Sequence, residues 1–155
     1  MDAKLWEFVD ATGDWWAKSY GMPRMTGRVF AWLLVCDPAE QTAAQLAEAL
    51  EASKGSISGA TGMLVRAGLA DRLHVRGERA DRFRIRPEAF DEQLADPGSA
   101  HARTLIAQGL EALKDEPPAR RARLEDVDLF YAWWQSRVPR LIEEWHEFKR
   151  SRTPR

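Results

Sequence analysis

A single cysteine stands in 155 residues, so no intramolecular disulfide can staple the chain, and a reducing cytoplasm is the expected setting. No window approaches the roughly 18 consecutive apolar residues that a membrane span needs, and the opening Met1-Asp-Ala-Lys-Leu-Trp6 lacks the apolar run of a secretory leader. There is no glycine-rich phosphate loop, no nucleophile elbow and no paired-carboxylate arrangement; Gly59-Ala-Thr-Gly62 is too short to cradle a phosphate. His74, His101 and His146 are scattered without ligand spacing and have no cysteine pair to join. The expectation is therefore no catalytic residue, no metal, no cofactor and no enzyme. Cys36 falls in the most apolar stretch and reads as a buried structural thiol.

The chain also lacks overall charge, with a formal net charge of -1, but its distribution is uneven. Residues 53–86 hold eight Lys/Arg against three acids, a local +5 that leaves -6 to the remainder. A basic module on an acidic body presents one face to a polyanion and repels it elsewhere. At this length one domain with a real core is the default.

Apolar periodicity organises the chain mostly into helices. Leu5, Phe8, Val9, Thr12, Trp15, Trp16 and Tyr20 recur at three- and four-residue steps and predict an amphipathic helix over 3–20, ended by Gly21. Met25 to Cys36 is apolar on nearly all sides and predicts a buried centrepiece. Thr42 with Gln45 is a capping box that starts a helix over 42–51. Ser53 is an N-cap for a second helix, 53–67, with Ile57, Ala60 and Leu64 inward and Gly68 as its stop. Gly55, Gly59 and Gly62 are poor helix formers, and close approach of another surface to the backbone is one reason for them. From Leu69 to Arg86, apolar Leu73, Val75, Phe83 and Ile85 alternate with His74, Arg76, Arg82, Arg84 and Arg86. That period of two predicts a hairpin turning at 76–79, with one charged face. Asp96-Pro-Gly98 reads as a loop, with Ser99 capping a helix to Lys114. A last helix over 121–150 carries Val127, Phe130, Trp134, Val138, Leu141, Trp145 and Phe148 near heptad spacing, with a kink expected at Pro139.

Two helices joined by a tight turn, then a basic two-stranded wing, make a shape suited to one groove of double-stranded DNA and the backbone beside it. Six of the seven tryptophans lie in the two end helices. Apolar bands of that extent mark interfaces, and a homodimer built from both termini also suits a pair of half-sites; the alternative is that the end helices pair within one subunit. The expected fold class is mostly α with a small two- or three-stranded β wing, a winged helix-turn-helix flanked by N- and C-terminal dimerisation helices. Its expected parts are 1–24, an N-terminal dimerisation helix; 25–90, the DNA-binding domain; and 91–155, a C-terminal helical dimerisation region.

This pattern resembles the MarR family of winged helix-turn-helix regulators. Ser53-Lys-Gly-Ser-Ile-Ser58, Leu64, Ala67-Gly-Leu-Ala70 and Val75-Arg-Gly-Glu-Arg-Ala-Asp-Arg-Phe83, with Gly21-Met-Pro-Arg-Met-Thr-Gly-Arg-Val-Phe30 upstream, resemble its GbsR-like branch over residues 21–90. One departure is Arg82-Phe83, where the branch often closes the wing with two aromatics. The resemblance implies a cytoplasmic bacterial regulator, a repressor, that binds a palindromic operator as a homodimer and releases it when a small ligand binds between its modules. A winged helix that binds protein, or a co-regulator without its own operator, is the alternative.

By position, residues 53–66 become the recognition helix, with Lys54, Ser56, Ser58, Thr61 and Gly62 outward. Hydroxyls there serve base edges or phosphates, and Lys54 suits a phosphate. Arg76 and Arg79 lie at the wing tip, where an arginine can enter a minor groove; Arg79 is the favoured one, with Asp81 expected to hold Arg79 or Arg82. Arg82, Arg84 and Arg86 face phosphate or water. Arg24 and Arg28 are candidates for backbone phosphates. Trp15, Trp16, Tyr20, Trp32, Tyr131, Trp133 and Trp134 are candidates for an effector pocket holding a small aromatic or a quaternary amine, choline sensing being associated with the branch. Aromatic residues at this spacing also read as plain core.

Overall fold

The computed structural model describes residues 3–95 and 97–152, in two compact units, Met1–Ala89 and Phe90–Arg155. The first contains the winged helix. Helix α1 (Ala3–Tyr20) ends as Gly21 takes φ 64°, and α2 (Arg24–Val35) follows Pro23. The two helices cross where Gly13 faces Gly27. A methyl group on Gly27 would stand 2.9 Å from the Gly13 Cα and from the Thr12 carbonyl oxygen, so glycine is what lets these backbones touch. Val9 and Trp16 of α1 enter the same core as Val29, Phe30 and Leu33 of α2. Helix α1 therefore shares one hydrophobic core with the wing-bearing segment.

The capping box at Thr42 is present in full: the Gln45 amide donates to Thr42 Oγ1 at 3.2 Å, and the Thr42 amide donates to Gln45 Oε1 at 2.8 Å. It starts α3 (Ala43–Ala49). Ser53 caps α4 (Lys54–Arg66), accepting from the Ser56 amide at 3.2 Å. Leu46, Leu50, Ile57 and Leu64 seal α3 and α4 onto α2. Thr42→Ala removes an acceptor from the α3 start and should cost about 1 kcal/mol. Urea unfolding followed by circular dichroism should show this as a lower midpoint at unchanged slope.

Three short strands form an antiparallel sheet in the order β1-β3-β2: β1 (Gln41–Thr42), β2 (Ala70–Leu73) and β3 (Arg82–Ile85). The register pairs Gln41 with Phe83 and Ala70 with Ile85, ending at Leu73 opposite Arg82. The hairpin is shorter than its alternation predicts. Val75 and Arg76 lie in the loop over 74–81, where Gly77 takes φ 90° and the Glu78 amide donates to the Val75 carbonyl at 3.0 Å.

The second unit is helical: α5 (Ala89–Ala95, its first residue still in the first unit), α6 (Pro97–Ala112) and α7 (Pro118–Arg152). Pro97 and Gly98 open α6 rather than forming a loop, and Asp96 lies outside the described residues. Ser99 is not a cap. It sits buried within α6, where its hydroxyl accepts from Gln135 Nε2 at 3.2 Å. Helix α7 runs unbroken through Pro139. It meets α6 through Leu124, which lies against Gly109, and through Asp128 and Gln135, which Arg103 reaches at 2.9 Å and 3.3 Å. Asp91 accepts from Trp145 Nε1 and lies 3.3 Å from His146 Nε2. The indole hydrogen bond, followed by that of His146 and by the Lys149 ammonium at 3.9 Å, holds its carboxyl below the usual carboxylate range. Of the expected apolar stripe on α7 only Val138 is buried; Val127, Phe130 and Phe148 are exposed, because the inward seam is carried partly by polar groups with partners on α6. No helix among the described residues is long and apolar enough to cross a membrane.

Candidate nucleic-acid interface

The face of α4 that packs inward is set by Ile57, Ala60, Thr61 and Leu64. The sequence expectation placed Thr61 outward, and the structure corrects it. Thr61 is 1% exposed, and its hydroxyl donates to the Ile57 carbonyl at 2.9 Å, with the Ser58 carbonyl at 3.3 Å. A hydroxyl that bonds to the preceding turn needs no water and can enter a core. Lys54, Ser56 and Ser58 are exposed as expected. The hydroxyls of the two serines have no hydrogen-bond partner among the described residues.

The opposite face holds a residue that sequence reasoning missed. Gly55, Gly59, Gly62 and Arg66 follow one another at steps of four, three and four, the spacing of one helical face. Arg66 is exposed, and its guanidinium lies 3.3 Å from where a methyl group on Gly62 would be. Counting 100° per residue from Ile57 would have found it.

The wing sorts its arginines into two groups. Arg82 makes a paired hydrogen bond with Glu78, Nε to Oε2 at 2.9 Å and Nη2 to Oε1 at 2.8 Å. The two groups shift each other, Glu78 down and Arg82 up, chiefly through that hydrogen bond. Arg84 lies between Asp71 at 3.3 Å and Glu40 at 3.5 Å, and Arg86 is 4.0 Å from Asp71. Asp81 does not hold Arg79 or Arg82. It pairs with His74 at 3.1 Å and with Arg72 at 4.0 Å. Arg76 and Arg79, at the tip, are exposed and have no carboxylate partner among the described residues, and the same holds for Lys54 and Arg66. Four uncompensated cations thus sit on α4 and the wing tip, while the arginines nearer the sheet are spent internally.

Arg24 and Arg28 are likewise spent. Arg24 binds Asp14 and, at 3.2 Å, Asp10; Arg28 reaches Asp10 at 2.8 Å and the Leu50 carbonyl at 3.2 Å. The Asp14 hydrogen bond leads in raising the Arg24 pKa. These pairs tie α2 to α1. Cys36 ends α2 half-buried, and burial pushes its thiol pKa up.

The aromatic candidates separate too. Trp16 and Trp32 are 6% and 9% exposed, Trp16 packed on Phe30 at 4.7 Å and Trp32 stacked on Trp6 at 5.9 Å. Trp15 and Tyr20 are exposed and meet edge to face at 5.4 Å. In the second unit Tyr131 is half-buried, and Trp133 and Trp134 line a groove of about 290 Å³ on α7 with Arg137, Arg140, Leu141 and Glu144. Among the described residues no cluster of three or more His, Cys, Asp or Glu side chains could hold a metal ion.

Residues 96–149 match the model of MmpR5-like MarR family transcriptional regulators. The HTH-type transcriptional regulator MmpR5 of Mycobacterium tuberculosis (strain ATCC 25618 / H37Rv) is 40% identical over 136 residues, which is 86% of this chain and 82% of that protein. A crystal structure of a transcriptional regulator superposes with a TM-score of 0.82 at 36% identity, covering 93% of this chain and 99% of the other.

Proposed function

We propose that this chain, which belongs to the MarR family of transcriptional regulators, is a homodimeric repressor that binds a palindromic operator in the cytoplasm. The family is one of regulators, not enzymes. In this reading α4 enters the major groove of each half-site, and the wing tip reaches the neighbouring minor groove. One observation carries it. Lys54, Arg66, Arg76 and Arg79 carry no carboxylate partner among the described residues, while Arg82 and Arg84 beside them do. Internal ion pairs leave little charge for a polyanion, so the free cations mark where one docks.

The motifs of residues 21–90 support a GbsR-like reading of the DNA-binding unit, and residues 96–149 carry the MmpR5-like match. For an effector, the core claims Trp16 and Trp32, which leaves the exposed Trp15–Tyr20 pair and the α7 groove as aromatic surface for a planar aromatic or a quaternary amine.

Selection of bound sequences from a random duplex pool tests the proposal. Enrichment of a palindrome, confirmed by a mobility shift with DNA upstream of the protein's own gene, is the expected result. A pool that stays random would favour the winged helix as a protein-binding module.

A further inference from the structure

We infer that Arg66 is the residue through which α4 distinguishes one base pair from another, and that the bare glycine face beside it lets the helix seat deeply enough for this. The inference rests on the DNA-binding reading above and assigns a specificity role within it.

The face of α4 opposite its buried side chains carries almost no side chain at all. A methyl group on Gly55 or Gly59 would meet nothing within 4 Å, and one on Gly62 would meet only the Arg66 guanidinium, at 3.3 Å. Side chains on a helix lean towards its N-terminus. The Arg66 guanidinium therefore lies one turn back, over Gly62, in the middle of this face rather than at the helix end. It is exposed and has no carboxylate partner among the described residues.

The chemistry of the other exposed polar groups on α4 separates the roles. Lys54 stands at the first helical position, where a compact ammonium suits a phosphate. Ser56 and Ser58 carry short hydroxyls that serve any base or phosphate. Arg66 alone on this helix carries a planar fork of donors, which matches the O6 and N7 acceptors of guanine in the major groove. Three glycines in a 13-residue helix are unfavourable for the helix itself. At Gly55 and Gly59 the surroundings are open, so packing within the protein does not demand glycine there, whereas a groove wall approaching the main chain would.

The test compares wild type, Arg66→Ala, Arg66→Lys and Gly59→Ala by selection from a random duplex pool and by titration of the wild-type consensus and its single-base variants. Wild type is expected to require a guanine in each half-site. Arg66→Ala should weaken consensus binding about tenfold or more and erase the preference at that guanine, while binding to unrelated DNA falls far less. Arg66→Lys should restore binding to unrelated DNA but not the guanine preference. Gly59→Ala should leave the thermal midpoint unchanged or raised, and still weaken consensus binding. If wild type enriches a palindrome and Arg66→Ala keeps the same base preferences, or loses affinity equally for every duplex, the assignment of Arg66 is overturned and the DNA-binding reading stands. If Gly59→Ala binds as tightly as wild type, deep seating is overturned. If wild type enriches nothing, both readings fall together.

Discussion

Replacing Arg76 and Arg79 together by alanine is expected to weaken operator binding by about two orders of magnitude, roughly tenfold for each guanidinium. Both sit at the tip of a loop, exposed and without a carboxylate to neutralise them. Removing them leaves no buried group unpaired, so the thermal midpoint should stay nearly fixed. For every phosphate that a subunit no longer neutralises, the log–log dependence of affinity on salt should also flatten by about 0.9. The internal comparison is Arg84→Ala. Arg84 is shared between Asp71 and Glu40, so its charge is largely compensated before DNA arrives, and its removal should change affinity only a few-fold. Fluorescence anisotropy with the selected operator across a salt series separates the two cases. Equal weakening by Arg84→Ala and the tip double variant would mean that the pairing seen in the wing does not sort its arginines by role.

The readable parts of this chain are those governed by neighbours a few residues apart. Thr42 with Gln45, Ser53 before α4 and Gly21 after α1 are local chemistry, and each sits where its spacing put it. The burial of α2 follows from its being apolar on nearly every side. What the spacing could not settle depends on phase or on distant partners. Thr61 looks polar and outward until its position, one turn after Ile57, is counted, and then its hydroxyl finds the Ile57 carbonyl. Arg66 escapes notice as one cation among eight until the same count places it among glycines. Asp81 chooses His74 and Arg72 because the loop over 74–81 bends in a way its sequence does not announce. On α7 the expected stripe turns inward only in part: Val138 is buried while Val127 and Phe130 are exposed, and Asp128 and Gln135 share the inward seam because Arg103 and Ser99 supply their partners.

That displacement leaves α7 with an apolar outer surface, and it carries the second large effect. Phe130 is 55% exposed and lies beside Trp133, itself 52% exposed, with ring centroids 6.3 Å apart. Leu129 and Val127 extend the patch. If the chain reads a palindrome as proposed, a surface of this kind is the natural seat of a second copy. Phe130→Glu should therefore do little to the isolated subunit, where the side chain already faces water. In the pair it places an uncompensated carboxylate in the interface, and does so twice by symmetry. Burying an unpaired charge costs several kcal/mol, which corresponds to a dimer at least a hundredfold weaker. Sedimentation velocity at micromolar concentration should show wild type as a dimer and Phe130→Glu as a monomer with unchanged helical content. Operator affinity should fall with it, because two linked half-site contacts become two independent ones. A Phe130→Glu protein that remains dimeric would move the interface off this face of α7. One that is monomeric yet binds the full operator as tightly as wild type would remove the dimer from the mechanism.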